Sequence, residues 1–354
     1  MTSPNRAVVV GIGLIGGSIG MALRARGWHV TGRDRDEGRA RQAVALGALD
    51  AVGDDAEAEV VFVATPVSVV AAEATAAVSA GAVVTDVGSV KAPIVQAVRA
   101  PRFVGGHPMA GSEQEGVEGA DGELFEGATW VLTPTDETDP AAYARVHEVV
   151  ASFGAEVVAL PPERHDELVA VVSHVPHLAA ATLMRLAAAG AAEHAVLLRL
   201  AAGGFRDMTR IAAGHPGIWP DICAENREAI VGVLDRLLGA LSEMRNVVAH
   251  GDRAALLSLL EAARAARTNL PSRVAGRPEE LVEMRVPVPD RPGVLAEVTT
   301  LAGELSVNIL DLEIAHSAEG DRGVLILVVD AKAADVLRGA LAARAFRPSV
   351  HPLA

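Results

Sequence analysis

The chain has 354 residues, 50% of them hydrophobic and 21% charged, which fits a soluble globular protein of two or three domains. Its formal net charge of −14 argues against non-specific nucleic-acid binding and against an anionic membrane surface, so an anionic ligand needs a local cluster of Arg or His. A single cysteine, Cys223, excludes an intrachain disulfide and a multi-cysteine zinc site, and with aromatics at 3% the packing falls to Ala, Val and Leu.

The first residues run directly into a strand. No basic segment leads to a small-residue cleavage site, and no apolar run of about 18 or more residues is free of Gly, Pro and charge; the reading is cytoplasmic, with no membrane or nucleic-acid partner. In RAVVVGIGLIGGSIGMALRARG, the β-branched run Ala7–Val10 meets Gly11-x-Gly13-x-x-Gly16, and a helical pattern follows through Leu14, Ile15, Ile19, Met21 and Leu23. A second strand, WHVTGRD, ends at Asp34, 23 residues beyond Gly11. Strand, glycine loop, helix and distant acid together predict a Rossmann-type domain that binds a dinucleotide. Gly11 permits the tight turn, Gly13 admits the pyrophosphate, Gly16 lets helix and strand pack, and the free N–H groups around Leu14 and Ile15 face the phosphates. Asp34 would accept from the ribose hydroxyls and repel a 2′-phosphate, which favours NAD. The flanking Arg33 and Arg35 leave NADP open.

Continuous apolar runs at 59–66 (EVVFVATP) and 82–91 (AVVTDVGSVK) read as buried parallel strands. Their polar ends place Thr65, Pro66, Asp86, Ser89 and Lys91 along the cofactor cleft. RFVGGH is the next strand and delivers His107, from GGHPMAGSE, to the same edge.

From about Pro161 the pattern turns helical, over 163–175, 177–189, 193–203, 218–249 and 252–268, with faces more apolar than a surface helix needs; a homodimer is expected through this region. VVSHVPHLAAATL carries His174 and His177 around Pro176, which should break or kink the helix. For His174 a structural and a functional role stand level. GGFRDMTRIAAGHP carries Arg206 and Arg210, and an arginine among apolar helices needs an anion or a partner such as Asp166, Asp207 or Glu113. Trp219 and Asn226 follow; Cys223 reads as a small buried hydrophobe, and no spacing suggests a metal site. A polar, Pro/Gly-punctuated linker precedes a strand–helix–strand–strand–helix order that is ferredoxin-like (βαββαβ). The expected domains are 1–161, 162–270 and 281–354, with the linker at 271–280.

Taken in order, GIGLIGGS, DVGSVK, GGHPMAGSE, LFEGATWVLTP, HDELVAVVSHVPHLAA and GGFRDMTRIAAGHPGIW resemble the prephenate/arogenate dehydrogenase family over essentially the whole chain. The resemblance implies that His107 is the catalytic histidine and that Ser89 assists it. It also implies that His177 and Arg210 contact the substrate's carboxylates, with Glu113, Asp166, Trp219 and Asn226 around the pocket. The implied reaction moves the C4 hydride of prephenate to NAD+ while CO2 leaves C1; with arogenate an amino group replaces the side-chain ketone. DRPGVLAEVTTLAGELSVNI resembles the ACT family of amino-acid-sensing domains. That likeness implies feedback by L-tyrosine through Asp290, Pro292, Gly293, Val294 and Asn308, or an ACT domain serving only in assembly. A non-catalytic NAD-binding regulator would not need His107, Ser89, His177 and Arg210. A β-hydroxyacid dehydrogenase would be expected to carry a catalytic lysine in 163–249, where there is none.

Overall fold

Alternate residues of the first strand feed two separate cores: Ala7 and Val9 pack on one face of the sheet, Val8 and Val10 on the other. The computed structural model describes residues 4–111, 114, 116–193, 197–268, 281–289, 291–316 and 322–352. Strands β1 (Arg6–Val10), β2 (His29–Arg33), β3 (Ala51–Val52), β4 (Val60–Val63), β5 (Val83–Asp86), β6 (Phe103–Pro108), β7 (Thr129–Thr133) and β8 (Glu156–Ala159) form one sheet in the order β3-β2-β1-β4-β5-β6-β7-β8. Every pairing is parallel except β6 with β7. Between the strands run α1 (Leu14–Ala25), α2 (Glu37–Ala45), α3 (Val67–Ser79), α4 (Ala92–Val98) and α5 (Pro140–Ser152). The strand order reverses between β1 and β4, where an open α/β sheet offers its crevice. The aromatics are concentrated here: Phe62, Phe125, Trp130 and Phe153 pack in tilted pairs inside the sheet's core.

The end of β6 is held unusually. Its ladder with β5 pairs Val84 with Phe103 and Thr85 with Val104. Past that point, an ion pair takes over. Asp86 and Lys91 are both wholly buried and bonded to each other. Asp86 accepts from the Gly106 N–H at 3.1 Å and the Gly88 N–H at 2.8 Å, while Lys91 Nζ donates to the Gly106 carbonyl at 2.7 Å. Both backbone groups of Gly106 are thereby satisfied. A Cβ there would lie 2.6 Å from the Asp86 carbonyl oxygen and 2.8 Å from Thr85 Oγ1, so only glycine fits. This corrects the expectation that Asp86 and Lys91 line the cofactor cleft. They are spent beneath the strand that carries His107, because the loop after β5 folds back under β6.

The helical segment comprises α6 (Pro162–Val169), a π turn (Ala170–His174), α7 (Val175–Glu193), α8 (Gly203–Thr209), α9 (Trp219–Glu225), α10 (Arg227–His250) and α11 (Arg253–Thr268). Pro176 does not break the run. The helix widens before it, and the Val175 N–H reaches back to the Ala170 carbonyl, the i−5 bond of a π turn. Of the helix expected over 193–203, the described residues Leu197–Leu200 form a short 3-10 turn. The expected 218–249 helix divides at Asn226, whose backbone (φ −110, ψ 30) leaves the helical region. Among the described residues, the run 162–190 is long and apolar enough to cross a membrane by length and composition. Its polar groups are used inside the protein, as the site shows below. Cys223 is half-buried against the small cluster of Ala170, Val175 and Ile230, and burial pushes its thiol up. Several large apolar side chains of this segment are exposed, including Val172, Leu186, Leu200, Met208, Leu238 and Val248.

The last elements are β9 (Leu281–Pro289), α12 (Val294–Glu304), β10 (Ile309–His316), β11 (Arg322–Asp330), α13 (Ala331–Ala343) and β12 (Ser349–Pro352). Their antiparallel sheet, in the order β10-β11-β9-β12, has the βαββαβ arrangement of a ferredoxin-like fold. Met284, Val286, Leu325 and Leu327 turn one face of it onto α12 and α13. The chain divides into two compact units, Met1–Arg185 with Ile211–Glu243, and Leu186–Arg210 with Met244–Ala354. In this division the first helices group with the nucleotide sheet. The expected linker, 271–280, lies outside the described residues.

Replacing Lys91 by Met would leave the Asp86 carboxylate buried without its cation. The expected loss is about 3–5 kcal/mol of unfolding free energy, measured by urea titration. A loss under about 1 kcal/mol would contradict the role given to this pair.

Candidate active site

The nucleotide end is built around an uncapped helix. Helices α2 and α5 begin on aspartates: Asp36 accepts from the Gly38 and Arg39 N–H groups, and Asp139 from that of Ala141. Helix α1 begins at Gly13 with no side-chain cap and no acid in its first turn. A Cβ on Gly13 would meet nothing within 4 Å, and Leu14 and Ile15 beside it are half-buried. Free N–H groups at an open helix start fit a pyrophosphate. Gly11 has φ +89 and would drive a Cβ to 2.6 Å from the Ala64 carbonyl oxygen, while a Cβ on Gly16 would strike the Gly11 carbonyl. Thr65 and Pro66 follow β4 at this edge; the Thr65 hydroxyl is buried without a partner, and Pro66 opens α3.

Asp34 stands just past β2, and its Oδ2 accepts from the Ile12 N–H at 2.8 Å, tying the acid to the glycine loop. Oδ1 accepts from the Asp36 N–H at 2.9 Å. Arg33 is turned to Asp54 at 2.9 Å and Glu73 at 2.6 Å, which raise the pKa of its guanidinium. It is therefore occupied, where the sequence had left it available to a 2′-phosphate. Arg35 is exposed.

His107 lies half-buried near the end of β6, the strand expected to deliver it. Its Nδ1 is 2.8 Å from Nε2 of His165, with the rings at 72°. His165 is wholly buried, and its Nδ1 is 2.7 Å from Asp166 Oδ1. Asp166 is in turn pinned to the start of α4: Oδ1 accepts from the Lys91 N–H at 2.7 Å and Oδ2 from the Ala92 N–H at 2.8 Å. Burial, reinforced by His165, Lys91 and His174, holds the His107 imidazole well below the ordinary histidine range. It is a neutral ring, able to accept a proton.

The same thread continues into the helices. Asn226 Nδ2 donates to the Asp166 backbone carbonyl at 2.9 Å and lies 3.1 Å from His174 Nδ1. Burial pushes His174 down to about 4, and its Nε2 has no partner. His174 meets Trp219 edge-on, and His177 stacks on that same indole at 3.7 Å and 14°. Burial lowers His177 as well. Asp221, on the same helix as Trp219, accepts from the Ser68 hydroxyl of α3 at 2.8 Å and holds α9 to the nucleotide domain.

The structure thus brings together His107, Asp166, Asn226, Trp219 and His177, and adds His165, which the sequence reading missed. Its only signal was the dipeptide His165-Asp166; nothing in the spacing announces a bond to a residue 58 positions away. Ser89 is half-buried and makes no hydrogen bond to His107, whose Nδ1 is taken by His165. Arg210 is exposed at the end of α8, in the second compact unit, and Arg206 is exposed beside it. Glu113 lies outside the described residues, as does Asp290. In the C-terminal module, Pro292, Gly293 and Val294 line a pocket of about 370 Å³ with Arg291, Leu295 and Ile314. Asn308 does not line it. It precedes Ile309, at the other end of β10 from Ile314.

Comparison with known proteins agrees with this geometry. The family model described as the prephenate dehydrogenase nucleotide-binding domain matches residues 19–159, and that of the prephenate dehydrogenase dimerization domain matches 161–262. The chain is 34% identical over 334 residues to a prephenate dehydrogenase of Bacillus subtilis, covering 90% of each. The crystal structure of prephenate dehydrogenase from A. aeolicus, in complex with hydroxyphenyl propionate and NAD+, superposes with a TM-score of 0.72 at 31% identity, over 76% of this chain and 99% of that one. That of Synechocystis arogenate dehydrogenase gives 0.65 at 32% identity, over 74% and 98%. An open glycine loop, a neutral histidine at the sheet edge and matches to both family domains lead to one conclusion: the chain belongs to the prephenate dehydrogenase family.

Proposed function

We propose that this chain oxidises and decarboxylates prephenate to 4-hydroxyphenylpyruvate, with NAD+ as the cofactor. The observation that carries the reading is His107: a neutral imidazole, held through Nδ1, at the edge of a dinucleotide-binding sheet. Gly11, Gly13, Leu14, Ile15, Gly16 and Asp34 would hold NAD+, which would supply the acceptor for the C4 hydride. His107 accepts the C4 hydroxyl proton as that carbon becomes a carbonyl. The carbonyl then draws the electrons released as CO2 leaves C1, the ring becomes aromatic, and the oxygen takes the proton back from His107. General-base help of this kind is worth about 10²–10⁴-fold in rate. In this reading His177 and Arg210 contact the substrate's carboxylates, Arg210 supplying the local cation that a chain of net charge −14 needs to hold a dianion. In this reading Ser89, Asp166, Trp219 and Asn226 surround the substrate, with Glu113, outside the described residues, assigned there by the resemblance alone. The engagement of Arg33 by Asp54 and Glu73 supports NAD over NADP.

Arogenate is the second reading, favoured by the likeness to the Synechocystis enzyme. The dimerization-domain match and the exposed apolar side chains of the helical segment support a homodimer. The βαββαβ order and the pocket beside Pro292, Gly293 and Val294 support an ACT module that takes L-tyrosine.

Incubation with NAD+ and prephenate is expected to yield NADH and 4-hydroxyphenylpyruvate, with kcat/KM for prephenate above that for arogenate. The reverse ratio would favour the second reading, and turnover of neither would end both.

The acidity of the site gives a second expectation. With His165, Lys91 and His174 facing it, His107 stays neutral below the usual 6.5, so kcat/KM holds level down to that pH and falls only in more acid solution. Folded His107 and His174 resist protons that the unfolded chain takes up below 6.5, so stability is lost as pH falls through that range. An acid limb centred at or above 6.5 would remove His107 as the base.

A chain ending at Ala275 is expected to keep its activity and lose inhibition by L-tyrosine. Unchanged sensitivity would assign the inhibition to the active site.

A further inference from the structure

We propose that His165 is a positioning residue that dictates which nitrogen of His107 carries the proton; this rests on His107 being the base of the reading above. The hydrogen-bond chain has a direction. Both oxygens of Asp166 already accept backbone N–H groups, from Lys91 and Ala92, so toward His165 the carboxylate offers lone pairs. His165 Nδ1 must therefore donate to it. In a neutral imidazole the other nitrogen is then an acceptor, so His165 Nε2 takes the N–H of His107 Nδ1 across 2.8 Å. That leaves the lone pair of His107 on Nε2, the nitrogen with no hydrogen-bond partner among the described residues. The opposite tautomer would put N–H where the substrate hydroxyl must lose its proton.

Burial makes the arrangement exclusive. His165 is 0% exposed, so water does not compete for either ring nitrogen. Nor does the ring have room to turn over, since its two bonds run to groups fixed by separate backbones: His107 on β6, and Asp166 tied to the first turn of α4. When Nε2 takes a proton, the resulting cation keeps its Nδ1–H bond and leans on the same chain toward Asp166. The logic is that of an oriented base in acyl-transfer enzymes, where the wrong tautomer lowers kcat by about 10⁴-fold.

The direct test is nitrogen NMR of the full chain labelled with 15N-histidine, without cofactor or substrate, the His107 signals being assigned by their loss in His107→Gln. The expected spectrum shows His107 protonated at Nδ1 and bare at Nε2, and in His165→Leu the Nε2–H form gains population. With substrate and NAD+, His165→Leu is expected to lower kcat by roughly 10²–10⁴-fold while KM moves less than about threefold. His165→Gln, whose amide oxygen can accept from Nδ1–H, should recover at least about tenfold of that loss. Wild-type His107 protonated at Nε2, or a tautomer unmoved by His165→Leu, overturns the proposal. The wild-type spectrum alone decides it if the leucine variant does not fold. The expected tautomer in a protein inert toward prephenate and arogenate would sink the functional reading and leave the proton assignment standing.

Discussion

The buried ion pair of Asp86 and Lys91 grips both backbone groups of Gly106, and the placement of His107 follows from that grip. Taking two charges out of water is expensive, and their attraction offsets the cost only when the remaining lone pairs and protons are also used. Here they are: Asp86 takes the Gly88 and Gly106 N–H groups, and Lys91 gives a proton to the Gly106 carbonyl. An apolar pair could fill the same space, but would leave a strand end buried with unsatisfied backbone. Gly106 completes the fit, because any side chain would displace the loop that carries Asp86.

Asp166 is the second anchor, and it joins elements far apart in the chain. Its carboxylate binds the start of α4, its neighbour His165 reaches His107, and its own carbonyl receives Asn226. Through Asn226 the thread passes to His174, Trp219 and His177. The π turn is part of this design. Pro176 denies Val172 its usual partner, the helix widens by a residue, and His174 is left inside the protein beside Asn226. A feature that reads as a helix breaker acts as a local adjustment, because a wider turn re-satisfies the backbone at lower cost than a break.

The outer parts of the molecule follow a different rule. In the helical segment, apolar side chains such as Leu200, Met208 and Val172 are exposed, and the division of the chain into compact units cuts through α7 and α10. The family domain matched over 161–262 nevertheless keeps these helices together, and their periodicity reports which face is apolar and not what covers it. The C-terminal module was the more legible: Met284, Val286 and Val288 of β9 and Leu325, Leu327 and Val329 of β11 share one covered face, and α12 and α13 supply the cover. Its pocket formed at the loop expected for an effector. Asn308 stands just before the module's second strand, and strand length, about 3.3 Å per residue, separates it from Ile314 at that pocket.

Local pattern along the chain was enough to find the glycine loop, the acid at the end of β2, the alternation of strands and helices, and His107 as the residue delivered to the sheet edge. Each of these depends on backbone angles and on side-chain periods of two or 3.6 residues, which neighbours in the chain dictate. The fates of Asp86, Lys91, Arg33 and His165 were different. All four are polar residues whose partners come from other strands or helices, and an unpaired residue and a paired one look alike until the chain is folded. Burial then decides, because inside the protein a charge or an imidazole must take whichever partner the packing brings within about 3 Å.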